Sequence, residues 1–311
     1  MNRFILPLFF AMLVLTSCVN QIPADTNQTP ADVNQTPTEP YTGSRTAGHE
    51  AVSAYDSLTA AEKDAAVNLK TYFEHASVGR NILNGVQKLI ADGLALKRGT
   101  WQTWAPVDGE GNPTYYTDGN DSTGYVFDTT PMNETKAETI KAWFAANTGL
   151  FDNARGNPSA ADKIDYFRSA VDTYGIGAAA DVAVMKFCWI DPDADISGYK
   201  TMMSSLQTTY PDLVLVYCTM PLTNSTDSDT AARNTFNNAL RTYCSTNNLW
   251  LFDIADIESH QSDGTAYTDP DTGAELEWPY YSYDPGHMNV GDCDVRPAKA
   301  LITLLARIGC S

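Results

Sequence analysis

Ile82, Leu83, Val86, Leu89 and Ile90 recur at helical spacing, which predicts an amphipathic helix from Asn81 to Ala91. Thr71 to His75 reads as a short strand ahead of it, so Ser77 falls in a strand-to-helix turn. Thr59 followed three residues later by Glu62 has the form of a capping box, opening an Ala-rich helix that runs to about Leu69. From Gly99 to about Asp128 neither period is sustained, and the stretch reads as a long loop. A helix around Glu138 to Ala146 comes next. Strands at Val182 to Phe187, Leu213 to Cys218 and Trp250 to Ile254 then alternate with helices at Gly198 to Thr208 and Ala231 to Cys244. A final helix from about Arg296 to Ile308 closes the chain. Alternating strands and helices imply a parallel sheet covered on both faces, a three-layer α/β/α domain. Ligands of such sheets bind at the carboxyl ends of the strands, which singles out His75 to Gly79, Lys186 to Asp191, Thr219 to Leu222 and the loop before the last helix.

The ends and the charge add to this picture. Met1, Asn2 and Arg3 precede an apolar run from Phe4 to Leu15 and then Thr16-Ser17-Cys18, the layout of a signal peptide. The run falls short of the ~20 apolar residues that span a bilayer. Leu15-Thr16-Ser17-Cys18 resembles the lipobox of bacterial lipoproteins, which implies that Cys18 is lipidated and becomes the mature N-terminus. Val19 in the following position leans, by the same resemblance, toward the outer membrane. Residues 19–48 are dominated by Asn, Gln, Thr, Pro and Ala and cannot bury enough apolar surface to fold, so they read as a flexible stalk. Residues 49–311 suffice for one folded domain. The expectation is a lipid-anchored protein of the bacterial cell envelope, facing away from the cytoplasm.

A net charge of −18, from 38 acidic and 20 basic residues, argues against nucleic acid as partner and favours a neutral or esterified one. Beyond Cys18 the chain has Cys188, Cys218, Cys244, Cys293 and Cys310, an odd number that leaves at least one without an intrachain partner. A continuous last helix would hold Cys293 and Cys310 about 20 Å apart, and bridged Cα atoms lie within about 7 Å. None of the cysteine spacings resembles a zinc site.

The candidate chemistry sits on two of the four strand-end loops. Phe73-Glu74-His75-Ala76-Ser77-Val78-Gly79 places a serine on a tight turn that can present both a hydroxyl and a backbone N–H to one carbonyl. Tyr283-Asp284-Pro285-Gly286-His287-Met288-Asn289, before the last helix, offers an imidazole as general base and an aspartate to orient it. This arrangement resembles the SGNH (GDSL-type) hydrolases, which carry their nucleophile after the first strand and D-x-x-H near the C-terminus. The resemblance extends to Phe252-Asp253-Ile254-Ala255-Asp256 on the last strand, and it implies a flavodoxin-like fold with Ser77 as nucleophile, His287 as base and Asp284 as its partner. HASVG stands where the family has GDS, with Ala76 at the place of the usual aspartate.

The family draws further oxyanion donors from a glycine on a second loop and an asparagine in a G-x-N-D stretch. Here that stretch reads Met185-Lys186-Phe187-Cys188-Trp189-Ile190-Asp191, without either residue. Lys186 or a backbone N–H near Cys188 is the expected substitute; Gly79, Lys186 and His75 are the candidate oxyanion or substrate contacts, and Gly85 and Asn133 are further family counterparts. His75 is read either as lining the site or as a structural histidine behind the nucleophile, and Glu74 is left with it; His260 is read as a loop residue and Cys188 as packing. Trp101, Trp104, Tyr115, Tyr116, Trp278, Tyr280 and Tyr281 fall in predicted loops, where aromatic faces can stack on sugar rings or acyl groups. The expected activity is a serine esterase that removes acyl groups, acetyl among them, from a carbohydrate, with no metal or organic cofactor. A glycan-binding lipoprotein that kept the fold without catalysis and a lipase-like enzyme are the rival readings. The sequence leaves the oligomeric state open.

Overall fold

The computed structural model describes residues 41–100 and 131–311. The expected signal peptide, Cys18 and residues 19–40 of the stalk lie outside the described residues, as do Trp101, Trp104, Tyr115 and Tyr116 of the long loop. The strands are β1 (Thr46–Ala47), β2 (Lys70–His75), β3 (Arg98–Thr100), β4 (Gly149–Ala154), β5 (Val182–Met185), β6 (Val214–Cys218) and β7 (Trp250–Phe252). The α-helices are α1 (His49–Ala54), α2 (Ala60–Val67), α3 (Val78–Ala91), α4 (Glu134–Ala146), α5 (Ala160–Arg168), α6 (Ile196–Thr209), α7 (Thr230–Thr246), α8 (Ile254–Ser259) and α9 (Val295–Gly309). Among the described residues no helix is long and apolar enough to cross a membrane.

The strands form one sheet in the order β1-β7-β6-β5-β2-β4-β3, with every pairing parallel. Its inner five strands, taken in chain order, follow the flavodoxin-like order, in which the chain reverses direction across the sheet beside the first strand. That strand is β2, so the sheet's switch point lies at the β2 carboxyl end where Ser77 follows. Side-chain alternation divides the core cleanly. Phe73, Val182, Val184, Val216 and Phe252 face one way and pack with residues of α1, α2, α3, α8 and α9. Tyr72, Ala183, Met185, Leu215, Tyr217 and Leu251 face the other way, into α4, α5, α6 and α7. The result is the expected three-layer α/β/α fold.

The local signals hold where they are strong. Thr59 and Glu62 form the full capping box, with the Thr59 side chain accepting from the Glu62 amide and the Glu62 carboxylate from the Thr59 amide. Two strands that the hydrophobic pattern misses lie on one side of β2. β3 occupies the start of the predicted loop, and β4, Gly-Leu-Phe-Asp-Asn-Ala, is buried at all six positions. With Asp152 and Asn153 inside, β4 shows neither alternation nor a continuous apolar run. Its polar groups are satisfied by neighbours distant in sequence: Asp152 accepts from Arg98 at 2.9 Å and Thr100 at 3.1 Å, and Asn153 donates to the Tyr72 hydroxyl at 3.1 Å. The five cysteines from Cys188 to Cys310 are all free thiols, and Cys293 and Cys310 flank α9 at opposite ends.

The chain is already seated on the sheet before His49, because β1 pairs with β7 and the Tyr41 amide donates to the Cys310 carbonyl at 2.7 Å. At the opposite corner α3 crosses α9 at Gly85, where a Cβ would run into the Asp294 carbonyl and lie 2.8 Å from the Ala298 methyl. One turn further along α3, Lys88 ties the chain ahead of α9 by donating to Gly291 O, Asp292 and Asp294. Gly85→Ala must push the two helices apart, and an overpacked crossing of this kind costs about 1–3 kcal/mol. The expected outcome is a lower urea midpoint with an unchanged m-value; an unaltered midpoint would contradict the tight crossing.

Candidate active site

Ser77 is the N-cap of α3 and has φ 45° and ψ −107°, a backbone conformation that a residue with a Cβ adopts only under strain, at a cost of about 1–3 kcal/mol. The turn is made possible by Gly79, where a Cβ would collide with the His75 side chain. It is closed by Gly79 N–H donating to Ala76 O at 2.9 Å and Arg80 N–H to Ser77 O at 2.7 Å. Such a sharp turn between strand and helix lifts a hydroxyl above the end of the sheet.

The loop before α9 brings the other two groups to it. His287 Nε2 makes a short hydrogen bond with Ser77 Oγ, and His287 Nδ1 bonds Asp284 Oδ1 at 2.7 Å. With the proton on Nδ1 facing the carboxylate, Nε2 is free to accept the serine proton. Asp284 is itself held. Gly286 N–H donates to its Oδ1 and Asn289 Nδ2 to its Oδ2, both at 3.2 Å, and its backbone carbonyl accepts from Asn224 Nδ2 at 3.1 Å. Asn289 closes the loop by accepting from the Tyr283 amide at 2.8 Å. Trp189, from the β5–α6 connection, lies so close to Gly286 that a Cβ there would sit 2.5 Å from its indole. Ser77, Asp284 and His287 are thus assembled from loops some 200 positions apart, at the switch point of the sheet.

The remaining candidates occupy different places. His75 is buried beneath the turn, with Nε2 3.4 Å from Asp152 Oδ1, and burial pushes its imidazole down to about 4 despite that carboxylate. It stays neutral near pH 7 and sits behind the nucleophile, away from the surface. Lys186 is 1% exposed, donates from Nζ to the Phe187 carbonyl at 2.8 Å, and is pushed down to about 8 by burial. The Cys188 amide is taken by Asp191 Oδ2 at 2.7 Å, and the Gly79 amide by Ala76. The Cys188 amide proton is thus committed to Asp191, and Lys186 is buried with one donor on a backbone carbonyl. Gly85 is buried in α3 against α9, and Asn133 caps α4 by accepting from the Lys136 amide; neither is part of this corner.

The missed strand β4 brings a second loop to this corner. Its last residue, Ala154, pairs with His75, and the Arg155 amide donates to His75 O at 3.0 Å. Gly156, at φ 74°, and the exposed Asn157 follow directly, on a second loop beside the nucleophile turn. Arg155 is buried, donates to Lys186 O at 2.8 Å and lies 3.4 Å from Glu74 Oε1. Glu74 also accepts from the Tyr72 hydroxyl at 2.8 Å, while Lys163 pairs with Asp191. These groups form a buried ionic floor under the strand ends, and Glu74 belongs to it. The only sequence signal for Arg155, Gly156 and Asn157 would have been the strand before them.

A second buried set lies behind the Asp284 loop. Glu258 accepts from the Leu222 amide at 2.6 Å and Glu277 from Ser282 Oγ at 3.1 Å; Ser282 in turn accepts from Asn224 at 3.1 Å. Burial pushes Glu258 up to about 8, and burial together with the neighbouring Glu258 raises Glu277.

No protein-family model matches the chain, and no characterised protein matches it in sequence. Among solved structures it is similar to a proposed acylhydrolase from Bacteroides fragilis, at 11% identity and a TM-score of 0.41, over 77% of this chain and 91% of that one. It is similar also to TcdA (CsdL), at 10% identity and a TM-score of 0.33, over 84% of this chain and 96% of that one. Superpositions this loose carry no information about activity, and the chemical reading rests on the geometry above.

The Glu258 carboxyl gives that geometry a pH signature. An unfolded glutamate loses its proton near 4.5, whereas folded Glu258 keeps it to about 8, so the folded state binds more protons between those values. Its contribution to stability is whole below about pH 4.5 and is lost as pH rises through about 8. Across that window the stability of the natural protein relative to Glu258→Gln is expected to fall, measured as the difference in urea midpoints. Parallel pH profiles would contradict the raised carboxyl.

Proposed function

We propose that the protein is a serine ester hydrolase of the SGNH type. The observation that carries this reading is the continuous chain from Ser77 Oγ through His287 to Asp284, with the serine held on a strained turn. In the proposed reaction His287 Nε2 takes the Ser77 proton as Oγ bonds to the ester carbonyl carbon. The imidazolium, stabilised by Asp284, then returns that proton to the departing alkoxide, which leaves an acyl-enzyme. Water attacks the acyl carbon next, giving a proton to His287, which returns it to Ser77 Oγ as the bond between the acyl carbon and Oγ breaks and the carboxylic acid departs. The Ser77 amide and the Gly156–Asn157 segment are the donors assigned to the oxyanion, in place of Lys186 and Cys188.

The substrate we propose is an O-acylated, acetylated included, carbohydrate. Ile190, Tyr280 and Tyr283 are the large hydrophobic side chains left exposed among the described residues. Ile190 follows β5, Tyr280 and Tyr283 lie between α8 and α9, and Tyr283 adjoins Asp284. Aromatic faces placed beside a nucleophile suit a sugar ring, and the acidic surface suits a ligand without negative charge. Lipidation at Cys18 would hold this domain on the outer face of a membrane by a stalk, within reach of envelope or extracellular glycans; acyl transfer to a second sugar would use the same intermediate.

Hydrolysis of p-nitrophenyl acetate and of a panel of acetylated polysaccharides tests the proposal. Ser77→Ala and His287→Ala are each expected to lower kcat by about 10⁶, and Asp284→Asn by about 10⁴. Activity that survives both single alanine variants would overturn the serine mechanism. Glycan binding by a protein without esterase activity would establish the non-catalytic alternative.

A further inference from the structure

His49, Asp256 and His260 come together on the β1–β7 side of the domain, and none of the three is part of the Ser77–His287–Asp284 chain. His49 opens α1, Asp256 lies in α8, and His260 ends α8 four residues on. The Asp256 carboxylate bridges the Nδ1 edges of the two rings, with Oδ2 2.7 Å from His49 Nδ1 and Oδ1 3.3 Å from His260 Nδ1. The imidazoles are stacked, with centroids 3.8 Å apart and planes within 10°. One ligand atom from each of the three residues lies within 4.8 Å of the others.

We propose that this cluster is a binding site for a divalent transition-metal ion of the zinc, nickel or cobalt class. Two imidazoles and one carboxylate are a nitrogen-rich donor set that suits these ions and disfavours magnesium and calcium, which take oxygen ligands. Metal–ligand bonds of about 2.0–2.2 Å place neighbouring donor atoms about 3.3 Å apart in a tetrahedral site. His49 Nδ1 and the carboxylate therefore separate by about half an ångström when the ion replaces the proton between them, a small rotation for partly exposed rings. Side-chain exposures of 26% for His49, 23% for Asp256 and 15% for His260 leave an entry path and room for water to complete the coordination.

The surrounding groups are arranged to hold the donors in place. The His49 amide also donates to Asp256 Oδ2, at 2.7 Å. Gly48 permits this approach, because a Cβ at that position would run into the same oxygen. The His260 carbonyl accepts from the Tyr281 hydroxyl at 2.8 Å and from Arg296 at 3.0 Å, so its backbone is anchored from the side of the Asp284 loop and α9, while its Nδ1 lies 2.8 Å from the Asp256 carbonyl. A bound ion would fasten the segment through which the chain enters the domain to the helix that follows β7. Its role is a clamp, and the hydrolytic residues are untouched.

The test is titration of the untagged, chelator-treated protein with ZnCl2 and CoCl2, followed by calorimetry, by the visible absorption of bound cobalt and by melting temperature. The expected result is one ion per chain, a higher Tm with zinc and none of this with MgCl2, while His49→Gln and His260→Gln each weaken binding by at least ~10-fold. Both variants keep a polar side chain of similar reach, and a circular-dichroism spectrum like that of the natural protein shows that they are folded. Absence of zinc binding by the natural protein, or undiminished binding by the folded double variant, would overturn the assignment. Ester hydrolysis by these variants is expected to be unchanged, so failure of this proposal and failure of the esterase reading are read out separately.

Discussion

The crossing of α3 and α9 is the constraint on which the candidate active site depends. Ser77 caps the start of α3, and the loop bearing Asp284 and His287 leads into the start of α9. Their separation is therefore set by how closely two amphipathic helices pack on one face of the sheet. Gly85 allows the closest approach, and Lys88 fixes the chain ahead of α9 through Gly291, Asp292 and Asp294. A hydrogen bond between groups 210 positions apart in sequence thus becomes a local consequence of one helix pair.

The polar groups beneath this corner do a different job. Glu74, Arg155, Lys163, Lys186 and Asp191 are all buried, and each ionic group there has to find a partner or lose its charge. Lys163 pairs with Asp191, Arg155 with Glu74, and Lys186 donates to a carbonyl while burial weakens its hold on its proton. The floor fixes the carboxyl ends of β2, β4 and β5 relative to one another. A serine in a backbone conformation as strained as that of Ser77 persists only where its surroundings over-determine it, and this floor together with His75 provides that support.

Much of this was legible in the sequence, and what was not has a physical reason. The helical spacing of α3 and α9, the capping box of α2 and the apolar strands β5 and β6 are local signals, and they place Ser77 and the Asp284–His287 loop at their strand end and helix start. β4 was illegible because both of its faces are buried and its polar residues are satisfied only by tertiary partners, Asp152 by Arg98 and Thr100 and Asn153 by Tyr72. With β4 unseen, Arg155, Gly156 and Asn157 had no place in the fold, and Lys186 and Cys188 were the nearest polar candidates. Where a proton donor is committed, as the Cys188 amide is to Asp191, is a question of tertiary geometry that spacing does not answer. The same holds for His49 and His260, whose stacking joins the start of α1 to the end of α8.

The central claim is that His287 activates Ser77. Its most direct measurement is covalent labelling of the intact protein with a fluorophosphonate, which reacts with a serine only when that serine is made nucleophilic. Mass spectrometry of the labelled protein and its peptides is expected to show a single adduct on Ser77 in the natural protein and none on the same timescale in His287→Ala. No adduct, an adduct on another residue, or equal labelling of Ser77 without His287 would contradict the account.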